Sequence, residues 1–311
     1  MKVVSYLKGI PGSNKNPEKP EVLKRFIQGV QVHGDVGIAH DGLYTPSDVA
    51  VLQGYVHEDS PHTPHLQLRK QVLDEQAKRN RRTIIVDSNL FLYLDKQNTK
   101  RYLRYSIDGV FPTTGNYFSD NPDPNRWLKV SQDLGIRTRE WRTQGNHILI
   151  CLQRNGGWSM KGLDNQDWAR DIITRIRQFS DRPIIIRGHP GDRRAGKYLN
   201  PKEKAYKLHG LDNVHISDRL NRSLQMDLNN AWCTVVYNSS PAVASAIEGI
   251  PVFVDDPVDC QAQDVCNTDI ANIEMPDVFD RDLWLQKLSM CHWNFDELTS
   301  GEAWKHMRKY V

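Results

Sequence analysis

Three apolar runs in the second half of this 311-residue chain end in residues suited to phosphate chemistry. "HILICLQ" runs into Arg154-Asn155-Gly156-Gly157. "RPIII" runs into Arg187-Gly188-His189-Pro190, with Arg193 and Arg194 behind. "CTVVYN" runs into Ser239-Ser240. Guanidinium groups pair with phosphate oxygens through a fork of donors. Glycines let backbone N–H groups approach those oxygens, and a helix N-terminus adds donors and the positive end of a dipole. Ser240 fits the N-cap of a following helix and Pro241 its first position, where the missing N–H is harmless. That leaves Ser239 free to meet a ligand. Glu248 stands in the last turn of the same short helix, where an acid opposes the dipole. The set suits a nucleoside diphosphate. Gly156-Gly157 alone signals only a turn. The patterns G-x-x-x-x-G-K-[ST] and G-x-G-x-x-G are absent, which disfavours a P-loop ATPase and a typical dinucleotide dehydrogenase.

These residues need strands to carry them to one edge, and the chain supplies them. "KVVSYL", "GIAH", "VAVLQGYV", "RTIIVDS" and "DGVFP" read as strands in the first half, with helical patterns over Glu21–Val32 and "HLQLRKQVLDEQAKR" between them. Residues 119–146 are polar and turn-rich and read as a connection. The pattern then restarts with "HILICLQ", "RPIIIRGHPG", "NVHISD", "CTVVYNSS" and "PVFVDD", separated by helical stretches. Strands alternating with helices imply parallel sheets with crossovers. A chain of this length exceeds one ordinary core. The expected fold is α/β, two doubly wound Rossmann-like domains facing a cleft. Residues 1–145 would form one domain and 146–285 the other. Residues 286–311 would form a helical tail packing back on the first domain. In such sheets ligands sit beyond the C-terminal strand ends, which gathers the residues above around one crevice.

Composition narrows the class. Hydrophobic residues are 39% and charged residues 25%, ordinary for a soluble protein. No apolar run reaches the roughly 18 residues of a membrane span. The N-terminus lacks a signal-peptide pattern, so a cytoplasmic location is expected, the host cytoplasm if the source is viral. The five cysteines form no C-x-x-C pair, and Cys151 and Cys233 lie in apolar runs, so neither a disulfide framework nor a structural zinc is expected. His57, His62 and His65 offer an H-x-x-H spacing without a third ligand, and no metal is assigned. The formal charge of +3 is unevenly spread. Residues 1–146 hold 21 Lys and Arg against 16 Asp and Glu, the remainder 20 against 22. Arg79, Arg81, Arg82, Arg101 and Arg104 carry much of the excess. They read either as a solvated face or as contacts to a polyanion.

"IIIRGHPG" followed by "NSSPAVASAIEGIPVFV" resembles the donor-binding domain of GT-B glycosyltransferases. The resemblance covers roughly residues 146–256. It implies that His189 contacts the nucleotide, that Ser239 and Ser240 open a helix against its phosphates, and that Glu248 holds the ribose. More loosely, the first half resembles the phage DNA glucosyltransferases that modify hydroxymethylated bases, which carry a catalytic Asp just after a strand. That likeness implies Asp87 in "RRTIIVDSNLF" as the general base, with Asp41 as rival and Asp108 third. Each also reads as a plain strand-end or turn aspartate.

Sugar transfer needs a base for the acceptor hydroxyl and positive charge on the departing diphosphate. Arg154 and Arg187 are the candidates for the second task, unless they make surface ion pairs. The expected activity is transfer from a nucleotide sugar, with no added cofactor, to a hydroxymethyl pyrimidine in duplex DNA. A surface glycan or small acceptor is the alternative. A non-catalytic nucleic-acid-binding protein with a degenerate nucleotide fold is the reading from another class.

Overall fold

The structure, a computed structural model, describes residues 1–7, 19–56, 63–91, 98–110, 121–155 and 158–311. Two compact units divide the chain. Met1–Asn89, Asn98–Leu134 and Leu285–Val311 make the first, and Leu90–Gln97 with Gly135–Trp284 the second. The first half runs β1 (Lys2–Tyr6), α1 (Lys19–Val32), β2 (Val36–His40), β3 (Val49–Gln53), α2 (Pro64–Lys78), β4 (Arg82–Asp87), β5 (Leu103–Ile107) and α3 (Pro124–Leu134). The second runs β6 (His147–Cys151), α4 (Asn165–Ile176), β7 (Ile184–Arg187), α5 (Ala195–Tyr198), β8 (Val214–Ile216), α6 (Leu224–Leu228), β9 (Ala231–Val236), α7 (Pro241–Ile247) and β10 (Val252–Val254). The chain closes with α8 (Asp282–Met290), β11 (His292–Trp293), α9 (Phe295–Ser300) and α10 (Glu302–Met307).

The first unit is a six-stranded sheet in the order β11-β5-β4-β3-β1-β2. Strands β2, β1, β3 and β4 are parallel, as the alternation of strands and helices implied. β5 runs antiparallel to β4 and β11 antiparallel to β5. The strand expected at "DGVFP" therefore lies earlier, at Leu103–Ile107, and Asp108 follows it in a turn at φ 61°. Alternate β-strand residues Val3, Val49, Val51, Ile84 and Val86 face Leu23, Phe26 and Val30 of α1 in one core. Leu298, Trp304 and Met307 from the end of the chain complete it, each worth roughly 1.5–3 kcal/mol on burial. Gly29 is what lets α9 approach α1, because a Cβ there would stand 2.0 Å from the Leu298 carbonyl oxygen.

Helix α3 falls inside the stretch read as a connection. Its buried positions are Arg126, Val130 and Leu134, a four-residue spacing whose first slot holds a charge, which hid the period. The core accepts that charge because Arg126 donates to both Glu297 oxygens, at 2.5 and 2.9 Å, and stacks 3.9 Å from the Trp293 ring centroid. Glu297 also accepts the Asn294 N–H, closing the capping box of α9. Burial works against its charge, yet Arg126 and Lys129 hold its carboxyl below the usual range.

The second unit is a five-stranded sheet, order β10-β9-β6-β7-β8, parallel throughout. Ile148, Ile150, Ile184, Ile186 and Val235 pack against Trp168, Ile172, Ile173 and Ile176 of α4. All five cysteines are buried and unbridged, and burial pushes the Cys151 and Cys260 thiols up to about 12 and Cys266 to about 11. Among the described residues no cluster of His, Cys, Asp and Glu could hold a metal, and no helix is long and apolar enough to cross a membrane. His57 and His62 lie outside the described residues.

Candidate nucleotide site

In the second unit the chain lays down β6, β7 and β8 in one direction, then returns to place β9 and β10 on the other side of β6. The order reverses between β6 and β9, and all strands end at the same edge, so the loops after those two strands flank the crevice where such sheets take a ligand. The loops are tied together. Gln153 accepts the Asn238 N–H at 3.3 Å and donates to Ser159 Oγ at 2.6 Å. Asn238 donates to Asp256 Oδ2 at 3.1 Å and to the Ser159 carbonyl at 3.2 Å. The Asn238 Oδ1 and the Ser239 hydroxyl are buried without a partner among the described residues. Each such group costs about 1–3 kcal/mol if nothing satisfies it, so two on one loop at a switch point mark it as built to receive something.

The loop after β7 is moulded just as firmly. Arg219 donates to the carbonyls of His189, Pro190 and Asp192 at 3.1, 3.1 and 2.8 Å. Asp192, buried, accepts from the backbone N–H of Asn155 and Arg194 and from the Tyr198 hydroxyl. This ties the loop after β6 to the loop after β7. His189 Nδ1 accepts the Gly191 N–H at 3.0 Å, which leaves the ring proton on Nε2 as a donor with no partner among the described residues. Burial and the nearby cations Arg154 and Arg219 lower its pKa, so the ring stays neutral at pH 7. Arg154 lies over the turn, with Nη2 2.9 Å from where a Cβ on Gly191 would stand. Its side chain is exposed and makes no ion pair among the described residues.

No family model and no curated protein matches this chain. Two solved structures are similar over nearly the full length. The KpsC β-Kdo 2,4-transferase of Thermosulfurimonas dismutans aligns with a TM-score of 0.53 at 13% identity, covering 94% of this chain and 90% of that one. The KpsC β-Kdo 2,7-transferase of the same organism aligns with a TM-score of 0.51 at 13% identity, covering 97% and 98%. The fold is GT-B-like.

Several candidate residues of this GT-B-like chain have occupations that the sequence did not reveal. Arg187 is buried and donates to Asp227 Oδ2 at 2.6 Å and to the Arg222 carbonyl at 3.0 Å. Asp227, fully buried, also accepts from Ser217 and Arg222, so Arg187 closes a structural node and is not an open phosphate ligand. Ser240 is exposed, has helical backbone angles and caps nothing with its side chain. The first turn of α7 instead bonds to the carbonyls of Ser239 and Ser240. Glu248 is buried and paired with Arg139 Nε at 2.9 Å, with Gln225 donating at 3.3 Å. Arg139 therefore offsets the dipole conflict, and Glu248 needs no ribose to account for it. Beside it Gly249 sits at φ 71°, where a Cβ would stand 2.0 Å from the Glu140 carbonyl oxygen, so the chain at 139–142 seals this end of α7. Gly156 and Gly157 lie outside the described residues.

In the first unit Asp87 stands at the C-terminal end of β4, part-exposed. It accepts from Arg104 Nη2 at 2.9 Å and from the Ser88 N–H at 2.7 Å. Asp41 is exposed in the turn after β2. Asp108 is at the opposite edge, because β5 is antiparallel. There it anchors the Thr83 N–H and Arg82, both at 2.8 Å, so it cannot share a site with Asp87.

The arginines assigned to an acceptor are mostly committed. Arg79 pairs with Glu75, Arg81 with Asp48 and Arg82 with Asp108, while Arg104 is buried against Asp87. Arg101 lies apart from them, in a hollow with Arg25 and Lys100. They form no open cationic row. Arg219 was missed, although it follows β8 and the strand-end rule would have selected it. The roles of Asn155 and Asp192 rest on contacts between loops and leave no sequence signal.

Proposed function

We propose that the chain is a nucleotide-sugar-dependent glycosyltransferase whose second unit holds the nucleotide of the donor. The observation that carries this reading is the edge of the second sheet. The exposed Arg154, and the Ser239 hydroxyl and Asn238 Oδ1 that no described residue satisfies, belong to the two loops at the switch point, and the Nε2–H of neutral His189 to the neighbouring loop after β7 at the same edge. A cation and neutral donors suit phosphate oxygens, while the amide oxygen suits a sugar or base N–H or O–H. Both KpsC structures are β-Kdo transferases, which supports transfer as the activity.

In the reaction the bond between the sugar and the phosphate oxygen breaks, and the acceptor oxygen bonds to the sugar carbon. Arg154 and His189 would stabilise charge on the departing phosphate, and Asp87 would take the acceptor proton. Calorimetry with CMP, UDP, GDP, ADP and dTDP is expected to show binding of at least one nucleotide. Arg154→Ala should weaken it by about tenfold or more, the scale of a lost charged hydrogen bond. No heat with any of the five would remove the basis of the reading.

For the acceptor, the pairing of Arg79, Arg81, Arg82 and Arg104 favours a glycan or small hydroxyl compound over duplex DNA. DNA binding measured between 50 and 200 mM salt is then expected to be weak. Tight binding that falls by about 10³-fold over that range would restore the DNA reading.

A further inference from the structure

The first unit has a switch point of its own. Its order reverses between β1 and β3, with β2 on one side and β4 on the other, so the crevice beyond these two strands is where this sheet would take a ligand. Both flanking strands carry a polar atom there that no described residue satisfies. Ser5, next to last in β1, is fully buried, and its hydroxyl has no partner among the described residues. Gln53, last in β3, has a buried Oε1 that none of them reaches with a donor. Ser5 is in register with Val51, two residues before Gln53, so the two-residue period puts both side chains on one face.

Arg69 reaches the same edge from α2. Its Nη1 lies over Gly54, the residue after Gln53, 3.3 Å from where a Cβ would stand. The guanidinium is half-buried with no carboxylate or hydrogen-bond partner among the described residues, and burial alone lowers its pKa. A desolvated cation without a counter-charge destabilises a fold. Among the described residues Arg69 thus lacks an anion, and Gln53 Oε1 a hydrogen-bond donor.

We propose that this edge binds a hydroxylated compound carrying a carboxylate or phosphate. Arg69 supplies the counter-charge, a ligand hydroxyl donates to Gln53 Oε1, and Ser5 makes a further neutral contact. If the chain is the transferase proposed above, this compound is the acceptor, and that step alone rests on the earlier reading.

The test is calorimetry and thermal denaturation of the full chain with D-glucuronate, D-glucose 6-phosphate and neutral D-glucose. At least one anionic sugar should bind and raise Tm where glucose does not, and which one does identifies the anion as carboxylate or phosphate. Arg69→Met should weaken that binding by about tenfold or more while leaving the ligand-free Tm equal or higher, because it removes an uncompensated charge. Gln53→Leu, which keeps the cation, should weaken it less. Failure of both anions, equal binding of glucose, or undiminished binding by Arg69→Met would overturn the proposal. Nucleotide titrations of the same Arg69→Met protein report on the second unit separately. Nucleotide binding without anionic sugar binding removes only this inference, and the converse removes only the transferase reading.

Discussion

Asp227→Ala is expected to destabilise the second unit by about 3–5 kcal/mol, the scale for removing one partner of a buried ion pair. Asp227 is fully buried and accepts from Arg187, Arg222 and Ser217. Its loss strands Arg187, whose side chain is only 9% exposed, while Arg222, at 44%, can turn to solvent. Urea denaturation should show the drop as a lower midpoint. The double variant Arg187→Met, Asp227→Leu should recover part of it, since both charges leave together. The comparison also decides what Arg187 is for. A structural Arg187 predicts that the double variant, once folded, binds nucleotide nearly as well as the parent. A phosphate ligand would instead lose affinity in the double variant whatever its stability. A midpoint for Asp227→Ala within about 1 kcal/mol of the parent would refute the buried node.

Asp87→Asn is expected to lower transfer by about 10²–10⁴-fold, the usual contribution of a positioned general base, while nucleotide affinity stays at the parent value. Arg104 and the Ser88 N–H donate to different oxygens of Asp87, so the amide keeps one of the two contacts and with it the side chain's place. A competing role is visible in the geometry, because Asp87 is the carboxylate that faces the buried Arg104. If neutralising Arg104 were its whole purpose, the Asp87→Asn protein would lose Tm but turn over normally per folded molecule. Measuring Tm and turnover on one preparation separates the two, and the second pattern would transfer attention to Asp41.

What could be read from the chain followed from local chemistry. The β-branched runs in "TIIV", "HILIC" and "PIIIR" became strands, and the strand-end rule brought Arg154, His189 and Ser239 to one edge, because that rule depends only on strand direction. Where direction changed, the reading failed. Antiparallel β5 carried Asp108 to the wrong edge for chemistry, and no residue type announces that reversal. Charged residues were the other source of error. Arg187, Arg104 and Glu248 looked available because their partners Asp227, Asp87 and Arg139 are distant in sequence and meet them only in the fold. Arg126 concealed a helix for the same reason, since its partner Glu297 lies in the last elements of the chain. Arg69 was visible only as one basic residue among many, and its lack of a counter-charge among the described residues is purely a property of packing.

Leu285–Val311 belongs to the first unit, so the two units are not completed in the order in which they begin. Growing chains usually complete their N-terminal domain first. Here the first core waits for Leu298, Trp304 and Met307, while every residue of the second unit has been made by Trp284. The nascent protein therefore finishes its second half before its first. Until residues 285–311 have been made, α1 and the face of β1, β3 and β4 beneath it lack the cover those residues supply, which makes that interval the one when the first unit most needs protection from aggregation.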